Sequence, residues 1–211
     1  MKTRKEKDAL GVVSVPEDSY GGSFYIRALE NFKISGLRAY PSFGRALCLI
    51  KLAACKVNAD LGGLDKKKAE AIAEACHDFL ENKIGAEFYE LDVYQAGAGT
   101  PFNMTLNEIV ANRANELLGG KKGEYKLVHP NDHVNMAQSS NDVIPAAIRI
   151  AALSDLKNLY RSAKGLLISL QKKSDEFKNY KKCGRTHLQD AVPMTFGLEL
   201  SAYIASLKIG L

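Results

Sequence analysis

The sequence contains no tryptophan, and its tyrosines and phenylalanines are not interleaved with basic residues. Nucleic-acid surfaces usually combine positive charge with aromatic side chains that stack on bases. The net charge of +5 comes from scattered lysines, as at Lys66–Lys68 and Lys121–Lys122. We therefore expect no nucleic-acid partner, although the mild positive charge suits a small anionic substrate.

Long hydrophobic runs are also missing. No stretch of roughly 18 or more consecutive apolar residues occurs, so we expect no membrane span. The first residues, Met1–Asp8, lack the apolar core of a signal peptide. The four cysteines, Cys48, Cys55, Cys76 and Cys183, have no Cys-x-x-Cys spacing, which argues against a zinc site and fits reduced thiols. These absences together predict a cytoplasmic protein.

Apolar residues recur at helical spacing over most of the chain. Helices are predicted at 42–60, 65–80 and 104–118, and a short strand is predicted at Val12–Pro16 within an otherwise irregular segment, 1–41. A heptad-like pattern from Pro145 to Phe177 predicts a bundle helix on the order of 50 Å long. We therefore predict a mainly all-α fold, with an N-terminal helical domain at 1–140 and the first long helices of a central bundle at 141–211.

The predicted bundle cannot close within these residues. A long helix with a broad apolar stripe must pack on other long helices, and the sequence offers one further candidate, at 196–211. Either other subunits complete the bundle, or the remainder of the chain is absent.

Three separated clusters of small polar residues stand out, at 95–104, 129–145 and 184–195. The run at 129–145 allows two interpretations. It is either a turn rich in asparagine and serine that caps a helix, or a loop that presents hydroxyls and amides to an anion at a helix start. Taken alone, the run leaves both open.

The motifs at these clusters read GAGTPFNMTLNE at 97–108, PNDHVNMAQSSND at 130–142 and GRTHLQDAVPMT at 184–195. In this order they resemble the fumarase/aspartase superfamily of lyases, and the resemblance runs from about Lys5 to Leu211. It implies the N-terminal part of an enzyme that eliminates ammonia or water from a four-carbon dicarboxylate. It also implies a homotetramer whose sites draw segments from three subunits, and no organic cofactor. Activation by Mg²⁺ is known for some aspartases, but no metal site is recognisable in this sequence.

The resemblance also assigns roles. The carboxylate that takes the doubly charged aci-form would be held by Thr100, Ser139 and Ser140. Thr186 would hold the other carboxylate, and His187 and Asn141 would lie near the leaving group. The serine base, with a lysine and an asparagine, belongs to a downstream loop that these residues do not include, so the fragment is expected to be inactive. The catalytic candidates are accordingly His187, Thr186 and Thr100.

The sequence offers two further histidine-based sites. The resemblance implies a possible second dicarboxylate site at His129, Asn131 and Asp132. His129 and His133 have the spacing of a metal pair, but Pro130 argues against a helix there, so no metal is predicted.

The leaving group stays open. Ala98, Gly123–Tyr125 and Ala191–Thr195 look more like aspartate ammonia-lyases, whereas Ser139–Asn141 has the fumarase form. The motifs place aspartate ammonia-lyase first and fumarate hydratase second. A non-catalytic fragment or structural relative of the superfamily is the alternative from another class.

Overall fold

The computed structural model describes residues 2–97 and 99–211. Ala98, which favours an aspartate ammonia-lyase by its sequence, lies outside the described residues. The chain is mainly helical, which confirms the predicted fold class. The helices are α1 (Ser23–Asn31), α2 (Pro41–Asp60), α3 (Lys66–Leu80), α4 (Thr100–Leu117), α5 (Ser140–Glu176) and α6 (Phe196–Gly210), with a short 3₁₀ helix at Ala86–Glu90 and a π-helical turn at Pro130–Val134. The strands are β1 (Thr3–Asp8), β2 (Gly11–Pro16), β3 (Lys181–Thr186) and β4 (Gln189–Thr195).

The chain forms two compact units, one ending at Ala152 and the other covering Leu153–Leu211. The boundary falls inside α5. The predicted division between 140 and 141 lies at the first turn of this helix and stays a prediction about domain organisation.

In the first unit, α2, α3 and α4 pack together around a continuous apolar core. Leu47, Ile72 and Ile109, one from each helix, have no exposed surface. Asp65 caps α3 by accepting a hydrogen bond from the backbone N–H of Lys68, as its position before the helix predicts. The core therefore follows the apolar periodicity of the sequence.

Two helices begin earlier than predicted. Helix α4 starts at Thr100 because Pro101 is compatible with a first helical turn, where its missing N–H costs nothing. Helix α5 starts at Ser140 because the carbonyl of Ser139 accepts hydrogen bonds from Asp142 and Val143, each at 3.0 Å. Both extensions place a polar motif residue at the start of a helix.

The N-terminal segment is more regular than predicted. The predicted strand at Val12–Pro16 is β2, which pairs antiparallel with the charged strand β1, from Thr3 opposite Pro16 to Asp8 opposite Gly11. The Arg4 guanidinium fastens this hairpin by donating to the carbonyls of Pro16, Ser19 and Gly21 at 2.7–2.8 Å. Strand β1 was not predicted because its residues are mostly charged and show no apolar alternation. Helix α1 follows the hairpin.

In the second unit, the end of α5 is followed by the hairpin β3–β4 and by α6. Gly197 lets α6 approach α5 closely, because a Cβ there would lie 2.6 Å from the Lys178 Cα and from the Ser174 carbonyl oxygen. Thr195 caps α6 by accepting from the Leu198 N–H at 3.1 Å. In the part of the chain that the structure describes, no helix is both long enough and apolar enough to cross a membrane.

Candidate functional site

The starts of α4 and α5 adjoin in the first unit. Asn103, on the first turn of α4, donates from Nδ2 to the Ser140 Oγ at 2.9 Å. Gly99, which precedes α4 with a φ of 77°, lies so close that a Cβ would be 3.1 Å from the Cγ2 of Ile144 on α5. Thr100 and Ser140 are therefore the first residues of two neighbouring helices. Free N–H groups and the helix dipole make such ends favourable for anions.

The two serines at the start of α5 have hydroxyl protons to donate. Ser140 Oγ accepts from Asn103, and Ser139 Oγ accepts from the backbone N–H of Asn141 at 3.3 Å. Each contact uses an oxygen lone pair and leaves the O–H proton for another acceptor. Ser139 and Asn141 are exposed, and Thr100 and Ser140 are half-buried, so a ligand can reach all four.

A layer of polar side chains lies beneath these serines, and its lysine was not predicted. Lys51 of α2 has no exposed surface, and its Nζ donates to the Asn135 Oδ1 at 2.8 Å and to the Gln138 Oε1 at 3.0 Å. Asn103 donates to the same Asn135 oxygen at 3.1 Å. One signal was available in the sequence, because Lys51 lies four residues after Leu47 on the apolar face of α2.

The residues of the proposed second dicarboxylate site lie on or beside one π-helical turn. His129 Nδ1 accepts from the Asp132 N–H at 3.3 Å and lies 3.2 Å from the Asp132 carboxylate, while Asn131 and Asp132 are exposed. The expectation that Pro130 prevents a helix here is wrong. Proline is the first residue of the turn, where its N–H is not needed.

His133 is engaged at both ring nitrogens. Its Nδ1 accepts from the His129 N–H at 2.8 Å, and its Nε2 lies 2.9 Å from the Lys68 Nζ. Burial, followed by the nearby Lys68 charge, lowers the pKa of His133. Within residues 2–97 and 99–211, no group of three or more His, Cys, Asp or Glu side chains is arranged to hold a metal ion.

Thr186 and His187 lie together in the second unit, at the turn between β3 and β4. Thr186 pairs with Gln189, and His187 and Leu188 form a two-residue turn with φ angles of 51° and 60°. Two successive positive φ angles are typical of a type I′ hairpin turn. The turn exposes both Thr186 and His187.

Two aspartase-like segments have packing roles in the structure. Gly123 and Tyr125 pack against β1: a Cβ on Gly123 would lie 2.8 Å from the Glu6 Oε1, and the Tyr125 hydroxyl lies 3.3 Å from the Glu6 Oε2. The segment Ala191–Thr195 belongs to β4, where Thr195 caps α6. The residues of both segments are thus also constrained by packing.

Comparison with known proteins places these motifs in a family. The lyase family profile matches residues 11–210. A class II fumarate hydratase of Nitrosomonas europaea is 48% identical over 209 residues, covering 99% of this chain and 45% of that protein. An aspartate ammonia-lyase of a Bacillus species is 46% identical over 200 residues, covering 95% of this chain and 42% of that protein. Class II fumarate hydratases of other bacteria match at 44–47% identity.

Among solved structures, a fumarate lyase:delta crystallin of Brucella melitensis superposes with a TM-score of 0.87 at 43% identity, covering 98% of this chain and 45% of that one. The chain thus spans less than half the length of the relatives that it matches. The match covers all three polar clusters and confirms the resemblance drawn from them. The chain belongs to the lyase family, in the superfamily that contains class II fumarate hydratases and aspartate ammonia-lyases.

Proposed function

We propose that the residues at the starts of α4 and α5, together with Thr186 and His187, serve the reversible hydration of fumarate to malate. The observation that carries the proposal is the pair of serines, Ser139 and Ser140. Each Oγ accepts one hydrogen bond from the protein, and neither hydroxyl donates to another of the described residues, beside two adjoining helix starts. The prevalence of class II fumarate hydratases among the relatives supports water over ammonia as the leaving group.

The proposed chemistry needs fixed donors. Removal of a proton beside a carboxylate gives an aci-carboxylate with two negative charges, and this species dominates the barrier. Donors that are already aimed at its oxygens stabilise it without reorganisation. Thr100, Ser139 and Ser140 fill this role, Thr186 binds the other carboxylate, and His187 and Asn141 face the departing hydroxyl.

The remaining parts of the site come from elsewhere. The resemblance assigns the proton-abstracting serine to a loop outside these 211 residues, and it implies that a homotetramer assembles each site from several subunits. The residues described above bind the dicarboxylate and stabilise its charge. No step in this proposal needs a metal ion or an organic cofactor.

Elimination of ammonia from aspartate is the second candidate here, although the sequence motifs alone rank it first. The Bacillus aspartate ammonia-lyase supports it, with nearly the same identity as the fumarate hydratases. However, the segments that favour it have packing roles, which weakens them as evidence for the leaving group. We therefore rank fumarate hydration above it.

The test uses the protein expressed from its complete gene. Fumarate formation is followed by ultraviolet absorbance with L-malate and with L-aspartate in separate reactions. We expect turnover of malate. Turnover of aspartate alone would make ammonia elimination the function, and turnover of neither would favour a structural relative.

The serine donor is tested by Ser140→Ala. The substitution removes the free hydroxyl proton, so kcat should fall by about 10²–10³, as for other lost oxyanion donors. Ser169→Ala is the matched control, because Ser169 is an exposed residue of α5 whose hydroxyl bonds to the Gly165 carbonyl. An unchanged kcat in Ser140→Ala would refute the assigned role.

A further inference from the structure

Lys51 is an unusual residue for the interior of a helical unit. It has no exposed surface, and it lies on the face of α2 that also buries Leu47 and Cys55. A buried ammonium is costly unless it is well hydrogen-bonded. Both hydrogen bonds of Lys51 go to the segment that precedes Ser139 and Ser140. A role in that segment would explain why the cost of burying the ammonium is tolerated.

Lys51 clamps two side chains of that segment by their oxygen ends, Asn135 Oδ1 and Gln138 Oε1. Their nitrogen ends are also fixed. Asn135 Nδ2 donates to the Gln138 carbonyl at 3.1 Å, and Gln138 Nε2 donates to the Val134 carbonyl at 2.9 Å. Between them, Ala137 has a φ of 58°, a conformation that non-glycine residues rarely adopt. The clamp therefore holds a turn whose backbone is strained.

The orientation of Asn135 determines the orientation of Asn103, which in turn determines how Ser140 is hydrogen-bonded. Because the oxygen of Asn135 faces Lys51, it can only accept from Asn103, which must turn its nitrogen toward it. The second proton on that nitrogen then goes to the Ser140 Oγ. A serine oxygen that accepts at this position has its own proton available elsewhere.

This orientation of Asn103 leaves one of its own polar atoms unsatisfied. Asn103 Oδ1 is buried and has no hydrogen-bond partner among the described residues. If the Asn103 amide were reversed, this oxygen could accept the Ser140 hydroxyl proton, but that proton would then be lost to a ligand. The orphaned oxygen is what we would expect where the direction of the bonds matters more than their number.

We propose that Lys51 is a positioning residue, which anchors the 135–140 turn and sets the direction of the hydrogen bonds beneath Ser140, so that the Ser140 proton stays free for the substrate carboxylate. This inference rests on the proposed function. Lys51 does not touch substrate, because it is fully buried and acts through Asn135 and Asn103. Burial lowers the pKa of Lys51 to about 7, with the thiols of Cys76 and Cys48 as the nearby titratable groups.

The main test is a double-mutant cycle in the protein expressed from its complete gene. Lys51→Met keeps an unbranched side chain that is one atom shorter and removes its donors, and it should lower kcat/KM about tenfold or more by misplacing the serine. In the Ser140→Ala background the same change should cost no more than about twofold, because Lys51 acts through Ser140. Lys56→Met, at an exposed position of α2, is the control and should leave kcat/KM unchanged.

The outcomes separate the inference from the function beneath it. If Ser140→Ala lowers kcat/KM but Lys51→Met does not, the inference is overturned and the proposed function stands. If the two effects add fully, Lys51 acts by another route and the inference is again overturned. If Ser140→Ala itself has no effect, the assigned role of Ser140 fails, and the inference fails with it.

A second measurement needs no variant and applies even if Lys51→Met does not fold. Neutron diffraction of the unmodified protein after deuterium exchange would show which end of the Asn103 amide faces Ser140. We expect two deuterons on the atom nearest the Ser140 Oγ. An atom without deuterons at that place would overturn the inference.

Discussion

At the scale of single residues, the role proposed for His187 near the leaving group makes one prediction. Its side chain is exposed on a hairpin turn. His187→Ala should therefore leave the fold intact while turnover falls by about 10²–10⁴, the range for a lost acid–base group. The measurement is kcat in the protein expressed from its complete gene, with circular dichroism as the check on folding. His77→Ala, at an exposed position of α3, is the control, and equal activity in both variants would contradict the role of His187.

Glu108 makes a second prediction at this scale. Its buried carboxylate accepts from the backbone N–H groups of Gly22, Phe24 and Tyr25 at 2.8–3.0 Å, and it thereby holds the start of α1. Burial outweighs these donors and raises the pKa of Glu108 to about 7, from 4.5. The folded protein thus holds this proton more tightly than the unfolded chain. The stability contributed by protonation is complete below pH 4.5 and is lost as the pH rises to about 7.

Glu108→Gln removes this titration. Between pH 4.5 and 7 the free energy of unfolding of the unmodified protein should fall by about 3 kcal/mol relative to that of the variant. Urea unfolding of both proteins at several pH values measures the difference. A difference that does not vary with pH would contradict the prediction.

The sequence identifies some of these residues and misses others for a physical reason. The resemblance of the motifs to the lyase family singles out Thr100, Ser139 and Ser140, and the structure places Thr100 and Ser140 at helix starts. Lys51 is missed because periodicity places it on a buried face without saying which distant groups will satisfy it. Lys51 meets Asn135 across 84 positions of the chain, and local patterns carry no information about such a contact.

At the scale of elements, the contact between α5 and α6 depends on Gly197. Gly197→Ala would place a methyl group 2.6 Å from backbone atoms of Lys178 and Ser174, and backbone cannot move aside cheaply. We expect a loss of about 1–3 kcal/mol of stability, measured by thermal or urea unfolding. Gly165→Ala is the control, because nothing lies within 4 Å of a Cβ there. It should be neutral or stabilising by up to about 1 kcal/mol, and equal effects would contradict the assignment.

Elements also differ in how well the sequence predicts them. Helices α2 and α3 match their predicted bounds closely because a cap or proline marks the start of each. The hairpin β3–β4 was not predicted, since neither Gly nor Asn occupies its turn. His187 and Leu188 adopt the two positive φ angles instead.

At the scale of the whole molecule, the predicted homotetramer stays a prediction, and α5 offers a way to test it. Leu153, Leu156 and Leu159 of the second unit are more than half exposed. Exposed apolar surface of this kind usually marks an interface. Leu159→Glu should weaken self-association, as measured by sedimentation velocity. Arg161→Glu introduces the same charge two residues away, on nearly the opposite side of the helix, and should have little effect. Equal sedimentation of the two variants would place the interface elsewhere.

At the buried Lys51 and the unpaired oxygen of Asn103, selection for stability and selection for activity should favour different residues. Each places a desolvated polar group in the interior, where an apolar side chain of similar size would cost less to bury. Laboratory evolution for heat resistance alone should therefore replace Lys51 with an apolar residue such as methionine. Selection for the activity proposed above should restore the lysine, so the residue recovered at this position would record which selection had acted on the population.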